Sequence, residues 1–277
     1  MKVTNINLDR LLSLDAIDCE VNEGFIYRYN GMIAKLFATS LTDEDLAFIK
    51  NKMYSCSLLD RYKSLLPKEY VVASSALAVD GTELGITEEE IIGRTYKEIF
   101  NDETIPLEKK IKMLKKVGKL FNDMDVIRTN GLENLHVGDV HSGNFMLDRF
   151  GNLKVVDTDS STIFDSPAYP AKYLCEGSIA RMKPTYKYTK DGILIPCRDS
   201  DLHGYHMMIM EMLFDDEIDY DDEIYFHYLD HLKRSGASKE LTDSFDRLIT
   251  PERNTNPVDY LDTINEKVYN NCKKLII

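Results

Sequence analysis

Residues 136–161, HVGDVHSGNFMLDRFGNLKVVDTDSS, bring several polar side chains that can perform chemistry onto a short piece of chain. The run between Asn144 and Asp157 alternates in a way that predicts a strand, a turn and a second strand. Such a hairpin folds back on itself, so it would bring the oxygens of Asn144 and Asp157 close enough to share a metal ion. Carboxylate and amide oxygens suit Mg²⁺, which takes few protein ligands and completes its coordination with water and substrate phosphates.

Asp139 lies five residues before Asn144 and is expected on a loop that follows a helix. There its carboxylate would accept a proton from an incoming hydroxyl while a metal ion neutralises phosphate charge. These residue types therefore point to phosphoryl transfer. The alternative interpretation is structural: an acidic loop and a hairpin held by Asx turns, in which the side chains bond to nearby backbone groups.

The elements that would position these residues begin with a β-hairpin. Residues 20–40 contain two β-rich runs around Asn30-Gly31, a dipeptide that supplies the positive φ angles of a tight turn. Thr42, followed three residues later by an acid, predicts the start of a helix. A second pair of strands is expected around Asp80-Gly81, so the first part of the chain should be a small sheet with one helix inserted.

From about residue 91 onward the pattern is mainly helical. An amphipathic helix is predicted from Leu107, because apolar residues recur at helical spacing while the lysines fall on the other face. Another helix is predicted in RDSDLHGYHMMIMEMLF, whose methionines are typical of a buried core. We therefore expect an α+β chain in two parts, residues 1–90 and residues 91–277.

The composition argues against several other classes of protein. With 277 residues and 43% hydrophobic content, the chain can bury a large core. Its net charge of −13 would repel a nucleic-acid backbone, and no run of the sequence approaches the length of a membrane span. The five cysteines are odd in number and never form a C-x-x-C pair, so we expect reduced thiols in a cytoplasmic protein, without a disulfide framework or a zinc site.

The segment GDVHSGN, followed by VVDTD, resembles the catalytic loop and the metal-binding segment of protein-kinase-like phosphotransferases. Asp139 and Asn144 have the D-x-x-x-x-N spacing of that loop, and Asp157 follows an apolar strand, as the metal-binding aspartate of the family does. The resemblance implies a two-lobed kinase-like fold, with ATP between a small N-terminal β-sheet lobe and a larger, mainly helical C-terminal lobe. It also implies that Asp139 is catalytic and that Asn144 and Asp157 bind Mg²⁺.

The resemblance implies further residues that bind ATP. Lys35 in GMIAKLF resembles the strand lysine that clamps ATP phosphates in the family, and Ile33 shares its face of the strand. Glu44 is the nearest candidate for the glutamate that pairs with this lysine, although the helix dipole also explains an acid in a first helical turn. The glycine-rich loop over the phosphates is reduced to Gly24. The segment from Thr87 to Ile92 is expected to meet the adenine.

Two features point to different branches of the family. Asp201, at the start of RDSDLHGYHMMIMEMLF, resembles the aspartate that anchors the catalytic loop in protein kinases. His141, two residues after Asp139, and Asp159, in place of the D-F-G glycine, resemble aminoglycoside-phosphotransferase-like and choline-kinase-like enzymes. In that branch His141 would contact the transferred phosphate and Asp159 would be a second metal ligand. A purely structural role is the alternative for Asp201 and for His141.

The expected function is ATP- and Mg²⁺-dependent transfer of the γ-phosphoryl group to a Ser/Thr hydroxyl of a protein, as in bacterial-type Ser/Thr protein kinases. Two alternatives are a small-molecule hydroxyl kinase and a pseudokinase that acts as a binding module. In the enzyme, Lys35 would position the α- and β-phosphates, and Asp139 would orient or deprotonate the acceptor. The expected partners are ATP and a protein or small-molecule hydroxyl acceptor, without nucleic acid or membrane.

Overall fold

The computed structural model describes residues 1–17, 25–37, 42–164, 166, 187–188, 194–214, 222–247 and 255–275. Within these ranges the chain is α+β, which confirms the predicted class. The helices are α1 (Leu8–Leu12), α2 (Asp43–Tyr62), α3 (Tyr96–Phe100), α4 (Leu107–Thr129), α5 (Arg198–Phe214), α6 (Asp222–Arg234), α7 (Lys239–Asp246) and α8 (Glu266–Cys272). The strands are β1 (Lys2–Ile6), β2 (Phe25–Tyr29), β3 (Met32–Leu36), β4 (Ser75–Val79), β5 (Thr82–Glu89), β6 (Gly93–Thr95), β7 (Phe145–Asp148), β8 (Leu153–Val155), β9 (Lys187–Tyr188) and β10 (Leu194–Ile195).

The largest sheet has five strands in the order β1-β4-β5-β3-β2. Both predicted hairpins are present, since β2 pairs with β3 and β4 with β5 in antiparallel fashion. The turns at Asn30-Gly31 and Asp80-Gly81 have positive φ at both residues, as the dipeptides predict. The sequence pattern does not predict β1, which adds a parallel strand beside β4 at one edge of the sheet.

The two faces of this sheet bury different residues. One face packs against α1, with Ala34 and Leu36 of β3 in the same cluster as Leu11. The other face packs against α2, with Phe37 in the same cluster as Ile49. Because successive side chains in a strand point to opposite faces, the residues at positions 33, 35 and 37 lie on the α2 side. This alternation decides where Lys35 is buried.

The helical part of the chain has a larger core of its own. It includes apolar residues of α4 and α5, such as Leu114, Phe121, Tyr205 and Met210, which are 3% exposed or less. The predicted helix that starts at Leu107 is confirmed and continues to Thr129. No helix in the described ranges combines the length and the apolar content that are needed to cross a bilayer.

A small antiparallel sheet, in the order β6-β7-β8, lies within the part of the chain that was expected to be mainly helical. Its β7–β8 hairpin is the one predicted between Asn144 and Asp157. The strand β6 pairs with β7 and is not evident in the sequence pattern. The segment from Thr87 to Ile92, which is expected to meet the adenine, begins within strand β5, because Thr87–Glu89 pair with β3. Residues 90–92 connect β5 to β6 along the chain.

Candidate active site

Lys35 is buried in the sheet, where β3 pairs with β5 so that Lys35 lies opposite Ile86. The residue is only 4% exposed, and its ammonium group lies 5.8 Å from the ring centroid of Phe37. The same group contacts the carboxylate of Asp157 and lies 3.2 Å from Oδ2 of Asp159. Lys35 is therefore not a solvated strand lysine but part of a charged cluster under the sheet.

The β7–β8 hairpin brings Asn144 and Asp157 together, as the alternation of the sequence predicts. The backbone N–H of Val156 donates to the carbonyl oxygen of Asn144 at 3.0 Å, so the two ends of the hairpin are paired. Asp157 follows β8 with a φ of +57°, a left-handed conformation that aspartate adopts more readily than most residues. Its side chain is 32% exposed, so Asp157 is partly open to solvent.

Asp139 is held beside this hairpin by Asn144. The side-chain Nδ2 of Asn144 donates to the carbonyl oxygen of Asp139 at 3.0 Å and to its carboxylate Oδ2 at 3.1 Å. Asn144 is buried, whereas the side chain of Asp139 remains 14% exposed. Together with the contact between Lys35 and Asp157, these bonds connect four sequence-predicted residues in one site.

The loop that carries Asp139 is anchored by Asp201 of α5. The backbone N–H groups of Val137 and Gly138 donate to the two carboxylate oxygens of Asp201 at 3.1 and 3.0 Å. Gly138 has a φ of +86°, and a Cβ at this position would lie 2.2 Å from the carbonyl oxygen of Ser160. The loop therefore requires glycine immediately before Asp139, and the contact confirms the anchoring role predicted for Asp201.

His141 lies against the carboxylate of Asp139. Its Nδ1 accepts a hydrogen bond from the backbone N–H of Gly143 at 3.2 Å, so the neutral ring carries its proton on Nε2. That Nε2 is 3.4 Å from Oδ2 of Asp139. His141 thus has a structural bond within the loop and also contacts the candidate base, whereas its contact with a transferred phosphate stays a prediction.

Asp159 has different surroundings from Asp157. Its side chain is fully buried, and Oδ2 lies 3.2 Å from the ammonium of Lys35 and 2.9 Å from that of Lys52. These contacts favour an ion-pair role for Asp159 over the second metal ligand that the resemblance implies, because two cations already occupy the carboxylate.

Lys52 is a residue of the site that the sequence interpretation missed. It lies in α2, is 4% exposed, and contacts Asp159. The sequence does contain a pattern that indicates burial of Lys52. Ile49, Met53 and Cys56 form the buried stripe of α2, and Lys52 falls within the same helical spacing. A lysine in an apolar stripe is rarely buried without a partner, so it predicts an acidic group nearby.

Charge interactions within the cluster shift the titration of its carboxylates. Burial would raise the pKa of Asp159, but the ammonium groups of Lys35 and Lys52 hold it below its usual value. Burial, followed by the neighbouring charge of Asp159, raises the pKa of Asp157. Glu88 of β5, a second residue missed from the sequence, is 8% exposed, and burial beside Asp157 and Asp159 raises its pKa to about 8. The cluster therefore sets two lysines beside an ionised Asp159, while burial and the charge of Asp159 favour the protonated forms of Asp157 and Glu88.

The donor set of the site fits Mg²⁺ at two of the three residues implied by the resemblance. Asn144 uses its Nδ2 to bind Asp139, which leaves the amide oxygen Oδ1 as the metal donor. Asp157 offers a partly exposed carboxylate. One carboxylate and one amide oxygen satisfy a cation that keeps several waters and binds substrate phosphates. Asn144 and Asp157 would hold the metal, whereas Asp159 would not.

Some predicted residues cannot be placed in this geometry. Gly24 lies outside the described residues, as does most of the segment 162–198. The backbone of Glu44 lies in the first turn of α2, but its side chain is outside the described part of the structure. Ile33 is half-buried on the same side of β3 as Lys35.

No family model matches the sequence, and no curated protein matches it. The arrangement of this chain's own residues is therefore what bears on the chemistry of the site.

Proposed function

We propose that this protein is an ATP- and Mg²⁺-dependent phosphotransferase with an alcohol group as acceptor and a two-lobed, protein-kinase-like fold. One observation carries the proposal. Lys35, from the five-stranded sheet, contacts Asp157 at one end of the β7–β8 hairpin, while Asn144 at the other end binds Asp139. The site thus combines three kinds of group: a cation that can bind phosphate, two oxygen donors for a metal ion, and a carboxylate that can accept a hydroxyl proton.

The roles follow from the chemistry of each group. Lys35 would bind the α- and β-phosphates of ATP as a buried cation that is already next to the metal-binding carboxylate. Asn144 and Asp157 would hold Mg²⁺, which when bound supplies positive charge to the phosphates. Catalysis would therefore depend mainly on positioning and on electrostatic stabilisation.

Asp139 would act on the acceptor. Its carboxylate would orient the hydroxyl and take its proton as the hydroxyl oxygen forms a bond to the γ-phosphorus. The bond between that phosphorus and the bridging oxygen breaks, and ADP leaves. The bonds from Asn144, together with the Asp201 anchor, would keep the carboxylate in place while the proton moves.

For the acceptor we propose a Ser/Thr hydroxyl of a protein. The observation that favours it is the Asp201 anchor, the feature in which this chain resembles protein kinases. A small-molecule hydroxyl compound is the second candidate, and the contact between His141 and Asp139 favours it. An intracellular setting, predicted from the spacing of the cysteines, is consistent with a supply of ATP for either acceptor.

The test is label transfer from γ-labelled ATP with Mg²⁺. The purified chain would be incubated with dephosphorylated casein in one series and with small cationic hydroxyl compounds in another. Asp139→Ala removes the candidate base. Asp123→Ala is the matched control, because Asp123 is an exposed acid of α4.

Label on casein that disappears in Asp139→Ala and persists in Asp123→Ala would support the proposed protein kinase. Label only on the small compounds, with the same dependence on Asp139, would replace it by the second candidate. Binding of ATP without transfer to any acceptor would contradict the enzyme and favour the pseudokinase alternative. Absence of ATP binding would overturn the nucleotide site altogether.

A further inference from the structure

Lys52 has a fixed position in the charged cluster. Its ammonium group lies 2.9 Å from Oδ2 of Asp159 and 3.3 Å from the hydroxyl of Ser160. The rings of Phe37 and Phe48 flank it, with centroids 5.5 and 5.4 Å away. A lysine held between two aromatic rings and a buried carboxylate has little freedom to turn elsewhere.

The two aspartates of the cluster differ in how easily they can lose a partner. The side chain of Asp159 is fully buried, so an unpaired charge there would be costly. The side chain of Asp157 is 32% exposed, so water or a metal ion can replace a lysine beside it. Lys35 contacts both carboxylates. If Lys35 turned to a phosphate, Asp157 could be solvated, but Asp159 would need another cation.

We infer that Lys52 is a positioning residue that keeps Asp159 paired, so that Lys35 can exchange a carboxylate for a phosphate of the nucleotide. Lys52 acts through Asp159 and Lys35 and does not itself contact the nucleotide. This inference rests on the proposed function, since it assumes that the ligand of Lys35 is a nucleotide phosphate. The helix α2 therefore contributes a cation, and the segment after β8 contributes the carboxylate that holds both lysines.

The experiment compares the binding of ATP and of adenosine, which has no phosphates, by calorimetry on the whole chain. In Lys52→Met, Asp159 would retain Lys35 as its cation, so Lys35 would be held back from the phosphates. We expect the Kd for ATP to rise about tenfold, the equivalent of one lost charge-assisted hydrogen bond, while the Kd for adenosine stays unchanged. Lys52→Arg keeps the charge and should bind ATP within about threefold of the unaltered chain, because a shifted guanidinium geometry costs less than a lost pair.

A matched control is available in Lys110→Met. Lys110 is also a buried lysine, at 1% exposed, but it lies in α4 and contacts the carbonyl oxygen of Phe100 and the hydroxyl of Tyr269. Its substitution tests whether removal of any buried lysine weakens nucleotide binding. Both Kd values should stay unchanged in this variant.

The double variant Lys52→Met/Asp159→Asn separates the positioning role from a direct one. It removes one positive and one negative charge, so position 159 no longer carries a charge that must keep Lys35. ATP affinity should recover to within about threefold of the unaltered chain, since the cluster is again balanced. The double variant also keeps the test valid if Lys52→Met misfolds, because the double variant does not contain the uncompensated charge of Asp159.

Selective loss of ATP affinity in Lys52→Met, with recovery in the double variant, would support the inference. Unchanged ATP affinity in Lys52→Met, equal loss for adenosine, or no recovery in the double variant would overturn it and leave the proposed function standing. An unaltered chain that binds neither ATP nor adenosine would overturn the proposed function, and the positioning role with it.

Discussion

Two regions of this protein bury polar side chains in opposite ways. Under the five-stranded sheet, the ammonium groups of Lys35 and Lys52 face the carboxylates of Asp157 and Asp159. In the helical core, Lys110 donates to the carbonyl oxygen of Phe100 at 2.7 Å. His206 of α5 likewise places Nδ1 2.7 Å from the carbonyl oxygen of Leu202 and packs its ring against Phe245 at 4.8 Å.

The difference lies in what can replace each contact. A backbone carbonyl in a helical core has no substitute, so the bonds of Lys110 and His206 stabilise the fold. The charges of the cluster are compensated by one another, and Asp157 is open to solvent on one side. A phosphate or a metal ion can therefore take the place of one member. The contrast predicts that substitutions in the two regions will have separable effects on function and on stability.

The largest effect is expected for Asp139→Ala. Loss of a general base typically costs about 10² to 10⁴-fold in rate, so label transfer should fall by at least two orders of magnitude. The free energy of unfolding should change little, since the side chain is partly exposed. The rate of label transfer and urea unfolding, measured on the same preparation, test both expectations. A large loss of stability with retained transfer would contradict the contrast between the two regions.

In the helical core, His206 should make stability depend on pH. Burial lowers its pKa from 6.5 to about 3, so the ring is neutral in the folded chain, whereas the unfolded chain takes up a proton below pH 6.5. Stability is therefore present above pH 6.5 and is lost as the pH falls toward 3. Between pH 7 and pH 4 this one residue should remove about 3 kcal/mol from the free energy of unfolding.

The measurement is urea unfolding of the unaltered chain and of His206→Gln across that pH range. Between pH 7 and pH 4 the free energy of unfolding should fall more steeply in the unaltered chain than in His206→Gln. His227→Gln, at an exposed histidine of α6, serves as the comparison. Equal pH slopes in all three chains would contradict the prediction.

Asp201→Asn tests the contact that joins the two regions. The substitution keeps the shape but removes the charge that accepts the N–H groups of Val137 and Gly138. We expect a loss of about 2 kcal/mol in unfolding free energy, because hydrogen bonds to a charged acceptor are among the stronger ones. Transfer should also fall, since the loop that holds Asp139 would lose its anchor. An unaltered rate with reduced stability would limit Asp201 to a structural role.

The smallest effect is expected for Lys110→Met, which should lower the free energy of unfolding by about 1 kcal/mol through the acceptors that it leaves unpaired. ATP binding should not change.

Lys35→Met is the counterpart in the cluster and should weaken ATP binding while adenosine binding stays the same. Calorimetry on both variants sharpens the comparison, and weaker ATP binding in Lys110→Met would contradict it.

Local patterns in the sequence predict much of this site. The D-x-x-x-x-N spacing and the alternating run after Asn144 predict a loop and a hairpin, because neighbouring residues decide turns and strands of this length. The anchoring role of Asp201, in the first turn of α5, is implied by the resemblance of this helix to that of protein kinases. The strands β1 and β6 could not be predicted from the sequence, because each is stabilised by pairing with a distant segment and not by its own pattern.

By itself, the sequence determined the α+β class, the two hairpins of the large sheet and the positions of Asp139, Asn144 and Asp157 along the chain. Only the tertiary structure decided which carboxylate is open and which is enclosed, and that Lys52 of α2 meets Asp159. The physical reason is that an ion pair depends on distance and burial, and residues 107 positions apart come together only when α2 packs against the turn after β8.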